Sequence, residues 1–163
     1  MKLIRSKRNQ LVFEISPVEK SLLRETLELY PRVASAHHRL SRESAPAGSE
    51  ERQRLLEESL ATQREENRRN VRALLAEPGR FQPKAEGFLF TLSRPELEWL
   101  LQVVNDVRVG SWIALGSPDT EHGDHIVLDE KTAPHARSME LAGAFEMVFL
   151  DALAGRSAGE SPK

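Results

Sequence analysis

Hydrophobic positions in this chain form a short β-prone run followed by helical spacing, and they do so twice. Leu11 to Ile15 and Phe88 to Leu92 are each long enough for a strand and too short for a helix. Each run stops at a serine, Ser16 or Ser93, with a proline in the next turn (Pro17, Pro95) and a glutamate three places on (Glu19, Glu96). This predicts a capping box: the serine hydroxyl accepts from the N–H three residues on, and the glutamate reaches back to the serine N–H. A proline there lacks only an N–H that the helix start leaves orphaned. FEISPVEKSLL and FTLSRPELEWLL therefore echo one another, Glu19 matching Glu96, Leu22 matching Trp99 and Leu23 matching Leu100. Duplication and convergent capping both account for the echo. Either way, two strands of like length predict pairing in one small sheet.

The helix opened by Ser93 is expected over 94–115. Leu97, Leu100, Leu101, Val104, Ile113 and Leu115 cluster with Trp112, and Trp99, Val103 and Val107 widen the apolar surface. Only Glu98, Gln102 and Asp106 form a polar stripe, and so apolar a helix is normally surrounded by others. Gly116 and Pro118 supply its stop. The helix opened by Ser16 runs through Leu22, Leu23, Leu27 and Tyr30 until Pro31 ends or kinks it. A long charged helix over 50–76, capped by Ser49, carries Leu56, Leu60, Asn67, Val71, Leu74 and Leu75 on one face. A last helix over 133–154, capped by Thr132, carries Leu141, Ala142, Phe145, Val148, Phe149 and Ala152.

The remaining segments are less patterned. Residues 1–15 read as a hairpin or as a frayed leader followed by a strand, and Phe81 to Gly87 as a loop feeding the second strand. Val33 to Leu40 reads as a further helical turn with His37 and His38 on the surface, and Ser41 to Ser49 as a loop. Ile126 to Leu128 reads as a brief strand or an anchor. The predicted fold is α+β, mainly α: a small helical bundle around the central apolar helix (94–115) with a two- or three-stranded sheet. One domain is expected over 1–154, with a disordered tail over 155–163.

Composition narrows the function. The 163 residues hold 23 Lys and Arg against 25 Asp and Glu, so no broad basic footprint marks nucleic acid. The absence of cysteine removes disulfides, thiol nucleophiles and cysteine-bound zinc. No apolar run approaches membrane length, and a cytoplasmic protein with no membrane partner is expected. Glycine-rich phosphate loops and GxSxG elbows are missing, and aromatics are too few for a base-stacking platform.

Three clusters remain as candidate chemistry. Arg108 falls among Leu97, Leu101, Val104 and Leu115, beside Asn105, so it must snorkel to water or meet a carboxylate. Glu146 is the first choice of partner, before Glu140 and Asp151, giving a structural or ligand-holding unit of Asn105, Asp106, Arg108, Trp112 and Glu146. The loop bearing Asp119, Glu121, His122, Asp124 and His125, with His135 beyond, offers imidazoles and carboxylates to a zinc-type divalent metal. Its spacing matches no established ligand motif, and no cofactor is otherwise expected. Arg64, Arg68, Arg69 and Arg72 form a basic patch for an anion or a partner.

The run Trp99-Leu100-Leu101-Gln102-Val103-Val104-Asn105-Asp106-Val107-Arg108, continuing to Trp112-Ile113-Ala114-Leu115-Gly116, resembles the C-terminal signature of an uncharacterised bacterial family, a domain of unknown function with an "LNDLR…LG" helix. The resemblance covers the last half of the chain; the first 85 residues match in outline. Some members are encoded beside the adaptor of the Clp protease, which implies a link to regulated proteolysis. The resemblance also implies that Asn105, Asp106 and Arg108 act together, and it brings no catalytic residues. The leading expectation is a non-enzymatic cytoplasmic interaction or regulatory module with a protein partner, a homo-oligomer being one assembly it allows. The alternatives are a metal-dependent hydrolase or small-ligand enzyme using His122 and His125, and anion or nucleic-acid contact through Arg64 to Arg72.

Overall fold

The computed structural model describes residues 1–7, 9–33, 49–119 and 125–155. In chain order it contains β1 (Lys2–Lys7), β2 (Gln10–Ile15), α1 (Pro17–Glu28), α2 (Ser49–Ala76), β3 (Phe81–Lys84), β4 (Gly87–Ser93), α3 (Arg94–Ala114) and α4 (Ala133–Leu153). The fold is α+β and mainly α. The expectations for Val33 to Leu40 with His37 and His38, for the loop up to Gly48, and for the tail beyond Gly155 fall largely or wholly outside the described residues.

The serine caps form as their chemistry requires. Ser16 accepts from the Glu19 N–H and Ser93 from the Glu96 N–H, while each glutamate accepts from its serine's backbone N–H. Both boxes are locked from outside. The Met1 amino group meets Glu19, and Arg80 donates to Glu96 while also holding Glu77 and the Thr91 carbonyl. Burial alone would raise the Glu96 carboxyl, but hydrogen bonds from Arg80 and Ser93 outweigh it and hold the group below its ordinary range.

The strands form one antiparallel sheet in the order β1-β2-β4-β3. Four strands replace the two or three expected. Of the two readings of the N-terminus the hairpin is the one formed, β1 pairing with β2, and the presumed loop at Phe81 holds β3. β3 is short and contains Pro83, so its composition reads as loop, but edge strands tolerate proline. It is held by Phe81, which stacks on Phe90 at 4.6 Å, and by Lys84, which reaches Glu14 at 2.6 Å.

From the turns out to Arg5 and Gln82 the pairing repeats at a shift of 77 positions, Ser16 to Ser93, and beyond them a register irregularity in β1 sets Leu3, not Ile4, opposite Phe13. Lys7 faces Gln10 as Lys84 faces Gly87, Ser6 faces Leu11 as Pro83 faces Phe88, and Arg5 faces Val12 as Gln82 faces Leu89. At the centre, Phe13 faces Phe90, its own counterpart under that shift. The two hairpins are thus related by a local twofold axis through the middle of the sheet. The helices that follow keep the correspondence, Leu23 with Leu100 and Leu27 with Val104 being buried in both. Even the second helices end in step, at Ala76 and Leu153.

One hydrophobic cluster draws on every strand and helix. α4 packs along α3 and sets Phe149 edge-on to Phe13 at 5.9 Å, over the sheet centre. Its start differs from expectation, since Thr132 makes no side-chain cap. The Thr132 hydroxyl instead donates to the Val127 carbonyl (2.6 Å), while Asp129 accepts the N–H groups of Lys131 and Thr132. Ile126 to Leu128 form no strand, and Val127 and Leu128 are exposed.

Candidate functional site

The residues of the family-like signature on α3 serve separate contacts. Asp106 accepts the backbone N–H groups of Arg32 (2.6 Å) and Val33 (3.2 Å), just after the cis Tyr30–Pro31 peptide. The chain passes so close there that a Cβ on Gly110 would lie 2.6 Å from the Arg32 carbonyl carbon. Arg108 Nε lies 2.6 Å from Glu146, and its Nη2 donates to Asn105 at 2.9 Å. The side chains of this ion pair are 42% and 20% exposed, so the charge rests at the surface instead of inside the apolar face. Trp112 is exposed and donates its indole N–H to the Pro118 carbonyl at 3.1 Å. These contacts tie the turn after α1 and the start of α4's second half to α3.

Of the proposed metal loop, Glu121, His122 and Asp124 lie outside the described residues. Asp119 and His125 are exposed, and among the described residues no three acids or histidines are grouped to hold an ion. His135 points elsewhere: its Nδ1 meets the Arg32 guanidinium.

The arginine patch lands on a concave feature. Between α1 and α2 lies a groove of about 260 Å³. Leu27, Val71 and Leu75 supply its apolar surface, and Arg24, Arg68 and Arg72 its rim. Tyr30 closes one end, its hydroxyl accepting from Asn67 Nδ2 at 3.3 Å, and burial pushes its phenol up. Arg24 is paired with Glu28 (2.9 Å), Arg68 only loosely with Glu65 (3.5 Å). Arg72 makes no ion pair with a described residue. Arg64 lines a second, smaller hollow on the far side of Tyr30 with Asp106, and Arg69 is exposed outside both.

The groove exists because α2 is turned relative to α4. Under the 77-residue shift, Arg68, Arg72 and Leu75 stand where α4 has Phe145, Phe149 and Ala152, which are buried. α2 buries Asn67, Val71 and Leu74 instead. That is a rotation of about one residue, roughly 100° about the helix axis. It keeps two guanidiniums in water, where burial without partners would be strongly unfavourable. The sequence reading missed Arg24, Leu27, Tyr30 and Leu75 as groove residues. The signal was present in the echo, which extended past the caps would have set arginines against phenylalanines.

No family model, curated protein or solved structure matches the chain.

Proposed function

We propose that this protein is a non-enzymatic interaction module that engages a partner protein at the α1–α2 groove. One observation carries the reading. Positions that fill the core of the second half are arginines in the first, and they border an apolar groove. Such a surface suits recognition, with apolar area for affinity and guanidiniums for specificity. The Asp106 contacts fit a supporting role, fixing the turn after α1 and so one end of the groove, while Arg108 and Trp112 tie α3 to α4 and to the chain after α3. The same reading takes α3 as the helix around which the others pack, supported by the full burial of Leu97, Leu100, Val103, Val104 and Val107. A link to Clp-type proteolysis is part of the proposal and is supported by the family resemblance alone.

The test is affinity capture from lysate at near-physiological salt, with the full chain as bait and the Arg68→Glu/Arg72→Glu variant alongside. A specific partner retained by wild type and reduced on the variant is expected. Absence of any specific partner would remove the reading, and a Clp adaptor absent from the retained set would remove the proteolytic link.

A further inference from the structure

We infer that the occupant of the α1–α2 groove is an acidic amphipathic peptide segment, with carboxylates about one helical turn apart flanking an apolar side chain. This rests on the interaction-module reading and names the partner's chemistry.

The size of the groove excludes other classes first. At about 260 Å³ it lies below the roughly 300–1,000 Å³ of pockets that enclose drug-sized ligands or cofactors. It can take a few side chains from a segment lying across it. Its charge then selects among segments. Three arginines stand on the rim, and the one acid in the lining, Glu28, is already engaged by Arg24. Arg68 and Arg72 are four positions apart on one helix, so their stems are neighbours about 5–6 Å apart. Carboxylates at i and i+4 of a partner helix repeat that spacing, and each guanidinium fork can take a carboxylate through two parallel hydrogen bonds.

The apolar requirement comes from the groove surface. Leu27 and Val71 form the almost wholly buried floor, and the partly buried Leu75 offers the apolar contact beside the guanidiniums. A purely acidic ligand would leave that contact wet, and a purely apolar one would desolvate Arg68 and Arg72 without compensation. The second half of the molecule gives the precedent for what fills such a site. There Phe145 and Phe149 of α4 cover the inner side of α3 and the sheet. In the first half the corresponding surface of α2 is turned outward and furnished with cations, so an external segment with the opposite charge completes it. The other open surfaces select less. The Met147 and Leu150 stripe on α4 is apolar without a basic border, and the outer sheet face carries Glu77 beside Arg5 and Arg80.

The experiment is fluorescence anisotropy of the full chain against a set of labelled helical peptides of Leu and Glu, with glutamates at i and i+4 flanking a leucine. Measured beside them are the same peptides with glutamine for glutamate, a polyglutamate of equal charge and a single-stranded oligonucleotide of equal charge. Saturable binding of the Leu/Glu peptides is expected, at least tenfold weaker for glutamine peptides, polyglutamate and oligonucleotide. The Arg68→Glu/Arg72→Glu variant should lose at least tenfold, and Arg72→Lys less. Arg52→Glu/Arg54→Glu, an equal charge change elsewhere on α2, should bind as wild type. A thermal melt checks that each variant is folded. No peptide binding at millimolar concentration, equal binding of glutamine peptides, tighter binding of the oligonucleotide, or an unaffected double variant would each overturn the inference. If lysate capture returns a specific partner that the double variant loses while the peptides fail to bind, the module reading survives without this occupant. If wild type captures nothing specific, the reading itself fails.

Discussion

The two halves of the molecule share their caps, first helices and hairpins, save for a register irregularity at the outer end of β1, and part ways at the second helix. In the latter half α4 lies along α3 and puts Phe145 and Phe149 into the core. In the former half α2 turns by one residue, packs Asn67, Val71 and Leu74 inward, and leaves Arg68 and Arg72 at a groove. The central strands tolerate no such divergence, because a strand slipped by one residue would turn its apolar set to solvent; only the edge strand β1 departs in register, between Leu3 and Arg5. A helix seated at the edge of the core can rotate at the loss of only a few contacts. Repetition therefore secures the scaffold, and the freedom to diverge sits in the returning helix.

The largest expected contrast is between counterparts. Phe149→Ala should lower unfolding free energy by about 3–5 kcal/mol, as for a large buried aromatic, whereas Arg72→Ala should stay within about 0.5 kcal/mol. Urea titration of both variants reads the difference, and equal losses would erase the distinction between the halves. Next comes Gly110→Val. Glycine replacement inside a helix ordinarily helps, but here the new side chain meets the Arg32 backbone, and about 1–3 kcal/mol should be lost.

Asp106→Ala leaves the Arg32 and Val33 N–H groups without their carboxylate and should cost about 1–2 kcal/mol. Hydrogen exchange faster at these two amides than elsewhere would localise the effect; uniform change would argue against it. The Glu96 effect depends on pH. Its folded carboxyl sits below the ordinary 4.5, so its stabilisation is present above that value and is lost as pH falls through the folded one. Glu96→Gln should remove on the order of 1 kcal/mol at neutral pH and flatten the acid limb of the melting profile. An unchanged acid limb would show that Arg80 and Ser93 do not hold the charge. Arg108→Ala should be the mildest, under about 1 kcal/mol and weaker still in high salt, since its pair with Glu146 is half in water.

Much of the scaffold could be read from residue types. Serine, proline and glutamate at fixed offsets determine local hydrogen bonds, and both capping boxes fall at Ser16 and Ser93. The paired strands followed from the same echo. β3 escaped notice because its four residues are held by a ring stack and a cross-sheet ion pair, interactions between distant positions that leave no periodic trace. Thr132 misled because its hydroxyl is turned back into the preceding turn, accepting from the Asp129 N–H and donating to the Val127 carbonyl, while the His135 N–H goes to the Thr132 carbonyl. Arg108 looked buried on a helical wheel, yet α4 meets that face with Glu146 near enough to the surface for both charges to stay hydrated. Periodicity gave the face that α2 buries through Asn67, Val71 and Leu74, but the groove was the hardest to foresee, since it depends on how α1 and α2 approach one another.

The central seam also sets a clock for synthesis. Each hairpin closes across two residues and can form as soon as it leaves the ribosome, but Ile15 must wait for Phe88. At about 5–20 residues per second, that is a delay of roughly 4–15 seconds. Throughout it, the inner edge of β2 has its backbone groups unpaired beside Phe13 and Ile15, the surface most able to capture another chain. The time spent translating α2 is thus time in which the first half must be shielded or remain soluble unaided.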